Sequence, residues 1–427
     1  MVVELLYGRG TLPVRFPEAC GLTVVRKPPV PVLDDPAAAV VEAFADPVEA
    51  APLGRLAAGC RTACILVCDI TRPVPNGLFL RPMIEELLAA GVPPSGIVVL
   101  VATGLHRPNE GAELERVIGD AWVLNNVRVE NHLARNDRDH VDLGTTRGRG
   151  TSVKLDRRFV HADLRIATGL VEPHFMAGYS GGRKVVVPGV AHEDTIRTLH
   201  NARFMAHAKA VQANLDGNPL HEEQLEIVRM LGDVYALNVV IDEERRPAFV
   251  NFGEIVASHL RAVDFAHRCC TVSLPRRFHT IVTSAAGYPL DQTYYQTVKG
   301  MVTPMDILED GGTLIVASAC TEGFGSSGFR AAQERLVRNG REGFLREIGD
   351  KPLADVDEWQ THMQTKPQET ARVQLYTEGL GEADRALTGV EFVESVDDAV
   401  AASVARTGDR GVAVIPEGPY VVPLCVA

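Results

Sequence analysis

The sequence predicts an α/β protein of two Rossmann-like domains, with the active site in the cleft between them. Three observations carry this. Runs of apolar and β-branched residues (C-I-L-V-C-D, I-V-V-L-V-A-T, L-R-I-A-T-G-L) alternate with stretches of helical periodicity, the signature of parallel strands joined by helices. The alternation breaks around S-L-P-R-R and starts again, which sets a boundary near residue 272. A chain of 427 residues also exceeds what one hydrophobic core ordinarily serves. The first domain is expected over 1–271 and the second over 272–407. The final strands, 408–427, are free to return to the first domain, since termini often lie close together.

In order, the chain opens with a hairpin-like segment, a Pro-rich connector over 27–36 and an Ala-rich helix over 36–44. A strand over 64–69, a helix over 78–90 and a strand over 97–103 begin the wound pattern. A helix over 109–118 follows, with Asn109 as its cap. Strands are expected at 127–129 and 164–170, helices at 195–205 and 220–231, then strands at 234–241 and 248–252 and a helix at 254–267. The second domain reads as strand 279–284, helix 294–308, strand 313–318, helix 328–337, short strands at 373–376 and 390–393, helix 397–406, and strands 411–415 and 420–425.

Hydrophobic residues make up 46% and charged residues 23% of the chain, as in an ordinary soluble domain. A net charge of −12 disfavours nucleic acid, which needs a concentrated basic surface, but leaves room for a small anion in a local basic pocket. No apolar run is long enough to span a membrane, and the amino terminus lacks the layout of a signal peptide. A cytoplasmic protein is expected, and nothing in the sequence excludes a homo-oligomer. The eight scattered cysteines form no disulfide framework. Cys60, Cys64 and Cys68 match no zinc or iron–sulfur spacing and read as small core residues.

Ligands of open α/β sheets bind beyond the carboxyl ends of the strands, which directs attention to three loops: D-I-T-R-P-V-P-N after 64–69, G-L-H-R-P after 97–103, and V-E-P-H after 164–170. Asp69, Thr71 and Arg72 supply a carboxylate, a hydroxyl and a guanidinium suited to a carboxylate or phosphate; a loop braced by an Asp–Arg pair is the plain alternative. His106 and His174 are acid/base candidates, because histidine titrates near neutrality, although either can be an ordinary surface-loop histidine. The run G-Y-S-G-G-R-K, residues 178–184, offers small residues for backbone approach and a basic pair for an anion. It is neither the P-loop nor G-x-G-x-x-G. Lys184 abuts three valines, where desolvation would free its amine for covalent chemistry; a Gly-rich turn into a buried strand is the alternative.

His200 and His207 can share a helix face but form no H-E-x-x-H motif, so a metal at His200 needs ligands from outside the chain. Tyr295 and Lys299 are four residues apart and share a face with Gln296 beside them. They can offer an ammonium and an amide to a small acid, or form a solvated first turn.

Together, D-x-T-R-P-x-P, G-L-H-R-P, E-P-H…G-Y-S-G-G-R-K…H and Y-Y-Q-x-x-K resemble the nickel-dependent lactate racemase family over nearly the whole chain. The resemblance implies a nickel-pincer nucleotide: a pyridinium mononucleotide whose thioamide and thioacid arms hold nickel together with a ring carbon. It implies Lys184 as the covalent anchor, His200 as a nickel ligand, and His106 and His174 as the acid/base pair. Arg72, Lys299, Gln296 and Tyr295 would hold the substrate; Asp69, Thr71, Ser180, Gly181 and Gly182 would contact the nucleotide. The implied reaction inverts C2 of a 2-hydroxy acid by reversible hydride transfer through a 2-keto acid, with the cofactor supplied by maturation enzymes. The 321–329 loop departs from that of a dedicated lactate enzyme, so lactate is one candidate substrate among several hydroxy acids. Two other readings remain: an NAD-type 2-hydroxy acid dehydrogenase, against which the missing G-x-G-x-x-G argues, and a non-catalytic small-anion-binding protein.

Overall fold

The computed structural model describes residues 1–426, which form two compact units. The first comprises Pro29–Leu199 and Lys209–Arg268; the second comprises Met1–Pro28, His200–Ala208 and Cys269–Ala427. Both are α/β.

Strands β1 (Val2–Tyr7) and β2 (Gly10–Arg15) form a hairpin, and β3 (Gly21–Val24) follows. A helix, Pro36–Ala45, then begins with Pro at its first position and Asp35 accepting from the Ala38 amide at 2.9 Å, a matched start signal. The first unit's sheet contains β4 (Ala63–Cys68), β5 (Ile97–Ala102), β6 (Arg128–Asn131), and, beyond the antiparallel pair β7 (His140–Thr145) and β8 (Ser152–Asp156), β9 (Leu164–Leu170). A two-residue pair, β10 (Pro173–His174) and β11 (Gly178–Tyr179), precedes the last sheet members, β12 (Tyr235–Ile241) and β13 (Pro247–Glu254). The strand order is β13-β12-β9-β4-β5-β6, parallel except for β13 at one edge. β4 and β5 are buried along almost their whole length, as continuous apolar strands covered on both faces must be.

In the second unit, β14 (Thr271–Leu274) pairs with β20 (Val422–Cys425). The main sheet takes β15 (Phe278–Ser284), β16 (Leu308–Ala317), β17 (Arg372–Tyr376), β18 (Glu391–Phe392) and β19 (Gly411–Ile415) in the all-parallel order β18-β17-β16-β15-β19-β3.

The strand order departs from the expected domain layout at both ends of the chain. Residues 1–28 join the second unit, because β3 extends that sheet beyond β19. Residues 408–426 also stay there, as β19 and β20 pair with β15 and β14. The expected helix 195–205 is two helices, Glu193–Leu199 and Ala202–Met205, parted where Asn201 turns extended (φ −74°, ψ 171°) to start the second. His200 therefore lies at a joint, and His200 and His207 share no helix face. Asn109 does not cap the next helix, which starts at Ala112. It instead accepts from the Ile70 amide at 3.1 Å while the Asn131 amide group donates to its carbonyl at 2.9 Å.

A buried charged cluster braces the carboxyl side of the first sheet. Asp156 and His132 are fully buried and 3.0 Å apart (Oδ2 to Nδ1). Arg158 Nε donates to the same carboxylate at 2.9 Å. Burial pushes the Asp156 carboxyl up, but the bonds from Arg158 and His132 outweigh it and hold the group well below the usual carboxylate range. The Asp156 amide donates to Val190 O at 2.9 Å and His132 Nε2 to Ala191 O at 3.0 Å. The adjoining Gly189 carbonyl accepts from Gly104 at 2.9 Å, so the cluster also fixes the loop that carries His106. A carboxyl with a depressed folded pKa stabilises the fold above its unfolded value of about 3.9 and loses that contribution as the pH drops. Asp156→Asn is expected to cost about 3–5 kcal/mol at neutral pH. In urea titrations, the gap between wild type and variant should close as the pH falls below about 4.

Candidate active site

Strand order places the reactive loops. In the first sheet, β4 has β5 and β6 on one side and β9 and β12 on the other. The order therefore reverses between β4 and β9, where open α/β sheets form ligand crevices. Asp69–Arg72 leaves β4 and Glu172–Lys184 leaves β9, while His106 follows the adjacent β5.

Asp69 is buried, and both its oxygens are used. Oδ2 lies 2.6 Å from His106 Nδ1; Oδ1 accepts from the Thr71 hydroxyl at 2.5 Å and amide at 3.2 Å. Burial raises the Asp69 carboxyl, but the bonds from His106 and Thr71 together hold it below its ordinary value. The His106 side chain is 63% exposed. Arg72 forms an ion pair with Glu172 in which both side chains are about one-third exposed. Asp69 and Thr71 together orient the His106 ring.

The 178–184 run folds back against the end of β9. Gly181 (φ +75°) and Gly182 (φ +48°) have left-handed backbone. A Cβ on Gly182 would meet the His259 ring at 2.7 Å, and one on Gly181 would meet Val171 at 2.6 Å. Ser180 is buried: its hydroxyl donates to Leu170 O at 2.7 Å and accepts from the Glu172 amide at 3.0 Å. Residues Arg183–Val186 form a helical turn, not the start of a strand. Lys184 is half-buried on it, near enough to Cys68 at the end of β4 to act on that thiol.

Arg183 lies beneath this turn with 1% exposure. It donates to Ala177 O at 2.9 Å and approaches His259 Nε2 at 3.0 Å; among the described residues no carboxylate bonds to it. Burial pushes its guanidinium down to about 9. Burial, then the Arg183 charge, lowers His259 well below the ordinary histidine range and His221 to about 3. The loop therefore rests on a buried cation without an acidic counter-charge, a setting that favours an anion nearby.

His174 ends β10 in the first unit, and the second unit holds the remaining candidates. Thr293 caps the helix Tyr294–Val302, its hydroxyl accepting from the Gln296 amide at 3.4 Å. Gln296 and Lys299 are half-buried. The Gln296 amide oxygen is buried without a hydrogen-bond partner among the described residues. The Tyr295 hydroxyl donates to Asp357 at 3.2 Å, and burial raises its phenol. His200 is half-buried and packs on Trp359, with ring centroids 4.7 Å apart. Trp359 is itself within hydrogen-bonding reach of Tyr295.

Sequence reasoning missed Trp359, Arg183's burial and Glu172 as the partner of Arg72. Trp359 is one of only two tryptophans in the chain, set in the polar run D-V-D-E-W-Q; that isolation was the available signal.

Comparison with known proteins identifies the family. Residues 7–213 match the lactate racemase N-terminal domain and residues 276–422 the lactate racemase C-terminal domain. The chain is 33% identical to a lactate racemase of Thermoanaerobacterium thermosaccharolyticum over 290 residues, 68% of this chain and 67% of that one. It is 31% identical to a lactate racemase of Lactiplantibacillus plantarum over 382 residues, 89% of each. The solved lactate racemase apoprotein of T. thermosaccharolyticum superposes with a TM-score of 0.90 at 27% identity, covering 99% of this chain and 100% of that one. A Thermotoga maritima protein shares the fold at a TM-score of 0.64 and 19% identity, covering 87% of this chain and 96% of that one. With both domains matched in order, this chain belongs to the lactate racemase family and is a racemase.

Proposed function

We propose that this racemase inverts C2 of a short 2-hydroxy acid with a nickel-pincer nucleotide anchored on Lys184 and ligated by His200. The meeting of the Asp69–His106 pair, Arg72 and Lys184 at the β4/β9 reversal carries this reading. The surroundings fit such a cofactor: the uncompensated Arg183 charge buried beneath the 178–184 turn suits an anionic group. When bound, the cofactor supplies the hydride acceptor that no side chain offers.

The chain's own residues do the rest. Arg72 grips the substrate carboxylate with its guanidinium fork, in competition with Glu172. Lys299 and Gln296 hold the carboxylate and hydroxyl, with Tyr295 as a wall. His106 and His174 serve as the acid/base groups at the hydroxyl. Ser180, Gly181 and Gly182 shape the nucleotide loop, and Asp69 and Thr71 act through His106. The chain works in the cytoplasm, maturation enzymes supply the cofactor, and lactate is the first substrate to try.

Protein co-produced with maturation enzymes should carry an intact-mass adduct and about one nickel per chain, the single site this reading requires. Lys184→Ala should stay folded and lose the adduct and all racemisation. An unmodified, nickel-free chain that still racemises hydroxy acids would sink the cofactor assignment.

A hydrogen bond to a charged group contributes about 1.5–3 kcal/mol. Arg72→Met in the loaded enzyme should therefore raise KM for the hydroxy acid by roughly 10- to 100-fold, read from initial rates of chirality loss.

A further inference from the structure

The two histidines are held in opposite tautomers. A carboxylate only accepts, so the 2.6 Å contact with Asp69 Oδ2 places a proton on His106 Nδ1, and in the neutral ring Nε2 is then bare. At His174 the polarity is reversed. Its Nδ1 lies 3.3 Å from the Met176 amide and 3.2 Å from the Ala177 amide. Backbone N–H groups only donate, so this nitrogen is the acceptor and Nε2 carries the ring's one proton.

The turn that imposes this is clamped from behind. Asn218, fully buried at the start of the helix Pro219–Arg229, donates through Nδ2 to Met176 O at 2.9 Å. The buried Arg183 donates to Ala177 O at 2.9 Å. The Met176 carbonyl shares a planar peptide unit with the Ala177 amide, so the bond from Asn218 keeps that amide aimed at His174.

Resting on the racemase reading, we propose that the two histidines are not interchangeable. In this conformation His106, positioned by Asp69, is the base ready to take the substrate proton. His174 is held as a hydrogen-bond donor by the Met176 and Ala177 amides, with Asn218 as the positioning residue. The bare Nε2 of His106 takes the hydroxyl proton: the O–H bond breaks and an N–H bond forms. The imidazolium faces the Asp69 carboxylate until the same nitrogen returns the proton to the oxygen. His174 cannot accept at Nε2, which already bears hydrogen, and releasing that hydrogen would leave an imidazolate. It joins proton transfer only after its Nδ1 sheds the two amides.

The test is a histidine side-chain ¹⁵N correlation spectrum of the apoprotein at about pH 8.5, above the ordinary histidine value of about 6.5. His106→Gln and His174→Gln assign the two rings. The expected result is a proton on Nδ1 of His106 and on Nε2 of His174. Asp69→Ala should move His106 toward the Nε2–H form. Asn218→Ser keeps a helix-capping oxygen but cannot reach Met176 O, and should release His174 into a mixture of tautomers. A wild-type spectrum with the proton on His174 Nδ1, or on His106 Nε2, overturns the proposal, whether or not either variant folds. Because the spectrum needs neither cofactor nor turnover, the hydroxy acid assay can fail while the tautomers stand, and the reverse.

Discussion

Close approach of the 178–184 run to the end of β9 is the constraint on which the first unit's chemistry depends. It needs hydrogen in place of a side chain at three positions. A Cβ on Gly169 would strike Val185 at 2.8 Å, and Gly181 and Gly182 are equally closed. Two of the three also require left-handed backbone, which costs other residues energy. Once the run is seated, Ser180 ties it to Leu170 and Glu172, and Arg183 is driven under the turn. Lys184 is thereby delivered to the reversal point of the sheet. Packing without side chains fixes the amine's position.

A second layer of order comes from hydrogen bonds used up internally. The Asp69 carboxylate is fully engaged by His106 and Thr71, and Asn109 joins the loops after β4 and β6. The His132–Asp156–Arg158 cluster holds Gly189–Ala191 in place. These polar groups are buried and expensive to leave unpaired, so each loop is held by more than one neighbour. Loops anchored in this way can present imidazoles at a fixed angle, which proton transfer requires.

Much of this was legible in the sequence because it is local. Strand runs such as I-V-V-L-V-A announce themselves by composition, and a polar Pro-containing segment after each one marks the carboxyl end of a parallel strand. His106 and Arg72 stand out in that way, and Lys184 through the small-residue run that precedes it. What stayed hidden depends on residues distant in the chain. No local signal pairs Asp69 with His106, and Glu172 reads as a spacer until Arg72 arrives from a hundred residues upstream. The apolar spacing of 195–205 suits one helix, yet Asn201 breaks it by turning extended and donating to Pro352 O at 2.8 Å. Nothing local assigns β3 to the second sheet, since a four-residue strand carries no record of its partner.

That last pairing has a consequence for how the molecule is made. β3 emerges from the ribosome well ahead of β19 but meets it only when residues 411–415 have been synthesised. The first unit's strands are all present by Glu254, so it can condense during translation while the segment ahead of it still waits. The usual amino-to-carboxyl order of folding is reversed for those leading residues, and closing so long a loop makes their docking a late event. Until then, the opening hairpin must be kept from straying to other exposed strand edges.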